Sequence, residues 1–116
     1  MLRKNYRLTK NKEFENIFKN GKSFYTKILG IKYIENTLNI PRFGILVSTK
    51  ISKKAVIRNK IKRRLREILR LHENLIKPGY DIVVLTRAPV TECDYGEIEK
   101  NMEYAIRKAG LLRKII

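Results

Sequence analysis

The sequence predicts one compact α+β domain spanning residues 1–116, in the order α-β-β-(β)-α-β-α, with a small mixed sheet and helices against it. Three observations carry this. Apolar residues recur at helical spacing in three separated stretches, near residues 10–20, 54–76 and 94–109. Between those stretches lie runs rich in β-branched and aromatic residues, the composition of strands. A chain of 116 residues with 43% hydrophobic content can bury one real core.

The first nine residues are basic and irregular. In residues 10–20, Phe14, Ile17 and Phe18 fall at i, i+3 and i+4, which places them on one side of a short helix. Gly21 is well placed as its C-terminal stop. Ser23 to Glu35 alternates tolerably and reads as a strand, bent near Gly30, where a further short strand fits. Asn36 to Asn39 is a turn, and Arg42 to Ser48 (RFGILVS) is the next strand. A long helix follows from about Lys54 to Ile76, stopped by Pro78-Gly79. Tyr80 to Thr86 (YDIVVLT) is nearly all apolar, the mark of a strand covered on both faces. Pro89 breaks the chain, Thr91 or Asp94 caps a last helix, and Ile98, Met102, Ala105 and Ile106 make its inner face. Gly110 ends that helix and leaves a short basic tail from Leu111 to Ile116.

Charge narrows the function. Lys and Arg number 27 against 11 Asp and Glu, a formal net charge of +16. Self-repulsion of that size opposes compaction, and a polyanionic partner relieves it. Nucleic acid fits best. An anionic membrane is the weaker reading, because the apolar face of every basic helix is needed for the core. No apolar run reaches the ~18 residues of a membrane span. The basic N-terminus has no apolar segment behind it, so no secretory signal is read there and a cytoplasmic location is expected. Cys93, the only cysteine, can form neither an internal disulfide nor a multi-cysteine zinc site.

The densest basic segment, Lys50 to Arg70, has two stripes. Ile57, Ile61, Leu65, Ile68 and Leu69 form the buried one. Asn59, Arg63, Arg66 and Arg70 form the other, flanked by Arg58 and Lys62. A helix docked by its apolar face would hold this row of cations rigidly outward, toward a phosphate backbone. By contrast, no catalytic set is legible: no carboxylate pair stands near a histidine, and no metal-ligand spacing or Ser-His-Asp pattern occurs. His72, the only histidine, reads as a partly exposed helix residue, and Asp81 and the scattered glutamates as solubilising or capping groups. No catalytic residue and no metal ligand are assigned.

Residues 55–67, AVIRNKIKRRLRE, resemble the Arg-Asn-Arg motif helix of the bacterial ribonuclease P protein component. The resemblance extends in order through NKEFENIFKNG at 11–21, RFGILVSTK at 42–50 and YDIVVLTRAP at 80–89. Lys60 stands where the family usually has arginine, which keeps the charge and loses bidentate geometry. The turn before the motif, often glycine-bearing in the family, reads Ser52-Lys53-Lys54. Lys32 and Tyr33 straddle the strand position where family members present an aromatic.

The resemblance implies a fold similar to a small-subunit ribosomal protein domain, with a left-handed β-α-β crossover that no pattern reading would predict. It implies a ribonuclease P holoenzyme that removes the 5′ leader of precursor tRNA, with hydrolysis carried by the RNA subunit and its Mg2+ ions. The expected partners are ribonuclease P RNA and precursor tRNA, and the protein is expected to be monomeric. Lys50, Arg58, Asn59, Lys60, Lys62, Arg63 and Arg66 would bind RNA. Phe14, Phe18 and Tyr33 would line a cleft for the leader, although periodicity alone makes the two phenylalanines core residues. Two other readings stay open on composition: a structural RNA binder of ribosomal type, and a DNA-binding regulator, which lacks helix-turn-helix spacing.

Overall fold

A computed structural model describes residues 4–113. The elements are α1 (Asn11–Asn20), β1 (Lys22–Tyr25), β2 (Leu29–Glu35), β3 (Arg42–Leu46), α2 (Ala55–His72), β4 (Tyr80–Thr86) and α3 (Tyr95–Lys108). Short 3-10 turns occupy Lys4–Tyr6, Glu73–Leu75 and Ala88–Glu92. The optional extra strand is thus real. The bend falls at Thr26–Ile28 rather than Gly30. There the Thr26 hydroxyl accepts from the Leu29 amide at 3.2 Å, and the Thr26 amide donates to the Leu29 carbonyl at 2.7 Å. Gly30 serves another purpose. It faces its cross-strand partner Tyr25, whose ring occupies the space a Cβ would need.

The four strands form one mixed sheet in the order β1-β2-β4-β3. β1 and β4 each pair antiparallel with β2, and β3 pairs parallel with β4. A parallel pair needs a crossover, and α2 supplies it. Side chains of β2, β3 and β4 alternate between the two faces. Ile31, Phe43, Ile82 and Val84 join Ile61, Leu65, Ile68 and Leu69 of α2 and Ile98, Met102, Ala105 and Ile106 of α3 in the main core. Val83 points the other way and packs with Leu8 and with Ile17 of α1, where Phe14, Ile34 and Leu85 close a smaller core. β4 is therefore covered on both sides, as its apolar run requires.

Ends and turns follow local chemistry. Asp94 caps α3: its carboxylate accepts the Glu97 amide at 2.9 Å, while Glu97 reaches back to the Asp94 amide. Gly110 and Gly79 take φ of 75° and 87°, a conformation glycine adopts freely. Gly21 does not. It stops α1 as expected, but in extended conformation (φ −80°, ψ 162°). Its lack of a side chain instead admits the carbonyls of Ile17 and Tyr33, which would lie 2.5 and 2.8 Å from a Cβ. α2 ends at His72 and tightens into the 3-10 turn, four residues short of the expected end at Ile76. Residues 114–116 of the basic tail, like residues 1–3, lie outside the described residues.

Asp81 corrects the sequence reading. It is a buried group at 6% exposure, not a solubilising one. Its carboxylate accepts from Arg42 Nε at 2.9 Å, Arg42 Nη2 at 2.7 Å and Asn36 Nδ2 at 2.8 Å. Arg42 continues to Glu13 of α1 at 2.5 Å. This chain of ionic hydrogen bonds ties α1 to the sheet, and the bonds to Asp81 raise the Arg42 pKa further above its ordinary value.

Candidate nucleic-acid interface

α2 is docked as its periodicity demands, with Ile61 at 4% exposure and Leu65, Ile68 and Leu69 at 0%. The opposite flank carries the predicted cations. Lys50, Asn59, Lys60, Arg63 and Arg66 are exposed, and Lys62 is half-buried. Arg58 is also half-buried and donates from Nη1 to the Ser52 carbonyl at 2.8 Å, so it braces the turn that launches the helix. That turn works without glycine, because the Ser52 hydroxyl accepts the Lys54 amide at 3.2 Å. The row stops short at its C-terminal end. Arg70 is engaged by Glu67 through two hydrogen bonds of 3.1 and 2.6 Å, which lower the Glu67 pKa.

The groove beside this row wraps around the edge strand. Residues 7 and 8 run along β3, with the Leu8 amide donating to the Phe43 carbonyl at 2.8 Å. Arg7, Leu8, Phe14, Gly44 and Arg66 then line one hollow, and Arg7, Arg63, Arg66 and Glu67 line the next. Phe14 on α1 and the arginines on α2 thus share one continuous surface, although the two helices pack on opposite faces of the sheet. Gly44 makes this possible: a Cβ there would stand 2.5 Å from Cε1 and 2.6 Å from Cζ of Phe14. One helical turn on, Phe18 is 41% exposed. Lys32 Nζ lies 5.6 Å from the Phe18 ring centre and 5.9 Å from that of Tyr25, itself 46% exposed, a cation–aromatic arrangement. The Arg87 guanidinium also stands over Tyr25, 5.8 Å from its ring centre.

Of the three aromatic residues assigned to the cleft, Phe14 lines the hollow beside Arg66, Phe18 stands one helical turn away beside Lys32, and Tyr33 lies elsewhere. Tyr33 pairs across β2 and β4 with Ile82, on the main-core face, and meets Tyr80 edge-on at 6.5 Å. Strand alternation explains this: if Lys32 faces α1, its neighbour cannot. Sequence reasoning had left Lys32 undecided and missed Arg7 and Arg87, which lie outside the motif helix. Their basic character was the only signal available. The histidine is likewise not solitary. Its Nε2 lies 3.3 Å from carboxylate oxygens of Glu99 and Glu103, well separated in sequence and adjacent in space.

Comparison with known proteins agrees with this architecture. The family model described as Ribonuclease P matches residues 2–110. The ribonuclease P protein component of Syntrophomonas wolfei is 39% identical over 114 residues, covering 98% of this chain and 95% of that protein. That of Geobacillus kaustophilus is 38% identical over 118 residues, covering 97% and 93%. Among solved structures, the RNase P protein of Staphylococcus aureus superposes with a TM-score of 0.86 at 33% identity, covering 93% of this chain and 98% of that one. The RNase P protein of Thermotoga maritima gives 0.81 at 33% identity, covering 88% and 96%. With a basic helix, a mixed sheet and near-complete coverage all in agreement, the chain belongs to the ribonuclease P protein family, whose members serve with ribonuclease P RNA in tRNA 5′ processing.

Proposed function

We propose that this chain uses its two surfaces for two RNAs. The exposed flank of α2, with Lys50, Asn59, Lys60, Lys62, Arg63 and Arg66, and with Arg58 bracing its start, binds phosphates of the ribonuclease P RNA. The groove at Phe14 and Phe18 receives the single-stranded 5′ leader of precursor tRNA. The observation that carries the second assignment is Phe18: a large aromatic ring that is 41% exposed, beside a lysine, contributes little to the core. A flat ring next to a cation suits a base and its phosphate, and it tolerates any base, as a leader of varying sequence requires.

The division of chemistry follows from the groove's composition. Its one lining carboxylate, Glu67, is engaged by Arg70, and the other charged residues that line it, Arg7, Arg63 and Arg66, are cationic. Such a lining does not fit Mg2+, which needs several oxygen ligands in near-ideal octahedral geometry. The Mg2+ of the holoenzyme is therefore assigned to RNA phosphates, and the protein's share is positioning and charge neutralisation. The protein acts as a monomer in the cytoplasm. Among the described residues, no helix is long and apolar enough to cross a membrane.

Phe18→Ala tests the leader groove. The expected result is weaker binding of leader-bearing precursor, by about 5- to 150-fold if one stack of ~1–3 kcal/mol is lost. Mature tRNA, without a leader, should bind as before, and the melting temperature should barely move. Equal losses for both RNAs would mean that Phe18 does not meet the leader.

A further inference from the structure

His72 closes α2, and Glu99 and Glu103 stand one turn apart on α3, facing it. All three ligand atoms lie within 4.8 Å of one another. Nε2 is 3.3 Å from Glu99 Oε2 and 3.3 Å from Glu103 Oε1. This spacing is long for an ionic hydrogen bond, which runs ~2.7–2.9 Å, and one Nε2 carries only one proton to share between two acceptors. The two imidazole–carboxylate edges have the spacing of something else, and the two carboxylate oxygens, within 4.8 Å of each other, need only a side-chain adjustment to match it. Ligands held at ~2.0–2.2 Å around a tetrahedral ion stand ~3.3–3.6 Å apart along the edges.

We propose that His72, Glu99 and Glu103 form a binding site for a divalent transition-metal ion of the Zn2+ class. An imidazole with two carboxylates suits that class, whereas Ca2+ and Mg2+ favour all-oxygen sets. The side chains are 20%, 33% and 49% exposed, so water can supply a fourth ligand. The neighbouring guanidinium of Arg107 is drawn aside over the Tyr104 ring, 5.7 Å from its centre. Two local carboxylates offset the +16 charge of the chain, which otherwise repels cations. A bound ion would clamp the end of α2 to α3 and so stiffen the helix that carries the cationic row. The site is independent of the leader groove and makes no use of it.

The test uses the untagged chain with Cys93→Ser, which removes the thiol as a competing ligand. Zn2+ at about a hundredfold excess over its Kd should raise the melting temperature by about 10 °C, and Mg2+ at the same concentration should not. Glu99→Gln with Glu103→Gln should abolish the rise. Because the chain has one histidine, its imidazole resonance gives a second readout on the unsubstituted glutamates, and it should shift on adding Zn2+. An unmoved imidazole resonance, or an equal rise in the glutamine variant, would overturn the proposal.

Discussion

Gly44→Ala is the smallest change that should reach the leader groove without touching a residue proposed to bind RNA. The new Cβ would lie 2.5 Å from Cε1 and 2.6 Å from Cζ of Phe14, with the Leu8 Cβ at 3.4 Å. Ordinary carbon–carbon contact is ~3.5–4.0 Å, so the Phe14 ring must retreat by roughly 1 Å or α1 must shift. Overpacking of this kind costs about 1–3 kcal/mol of stability. The displaced ring would also lose its place in the hollow shared with Arg66. If Phe14 stacks on a leader base, losing ~1–3 kcal/mol weakens binding about 5- to 150-fold. The assay is the Kd of the reconstituted holoenzyme for precursor tRNA with a leader and for mature tRNA, beside urea unfolding of the protein. The expected outcome is a loss confined to the leader-bearing RNA. A protein destabilised by 1–3 kcal/mol whose preference for the leader is unchanged would refute the reasoning, because Phe14 would then be core alone.

Asp81→Ala should destabilise the fold by about 2–4 kcal/mol in urea unfolding, since Arg42 keeps only Glu13 and is partly exposed; a cost below about 1 kcal/mol would deny the network its role in docking α1. Binding to ribonuclease P RNA should fall steeply with salt, with a log–log slope near −4 if ~6 phosphates are neutralised. Arg63→Ala with Arg66→Ala should flatten that slope by about 1.4–2, and a wild-type slope flatter than about −1 would remove the electrostatic account.

Much of this was legible because periodicity is a local property. β4 runs from Tyr80 to Thr86 as its apolar run implies, and the inner faces of α2 and α3 are the stripes their spacing defines. What periodicity cannot state is which faces meet. Asp81 looks like any strand-end acid until β3 brings Arg42 beside it, in register, at the parallel pair. Lys32 and Tyr33 are adjacent letters. Which one faces α1 depends on the register of β2 against β4, and that is fixed by the whole sheet. His72 and its glutamates lie on different helices, so no short motif could announce them. Gly44 was readable only as an oddity inside a strand, until the Phe14 ring supplied the reason.

The most direct measurement mixes the purified protein with a bacterial ribonuclease P RNA and precursor tRNA at low magnesium and near-physiological salt. The account predicts 5′ leader cleavage when both protein and RNA are present, and none from the protein alone. Binding of the RNA with no gain in cleavage would contradict it and leave a structural RNA-binding role.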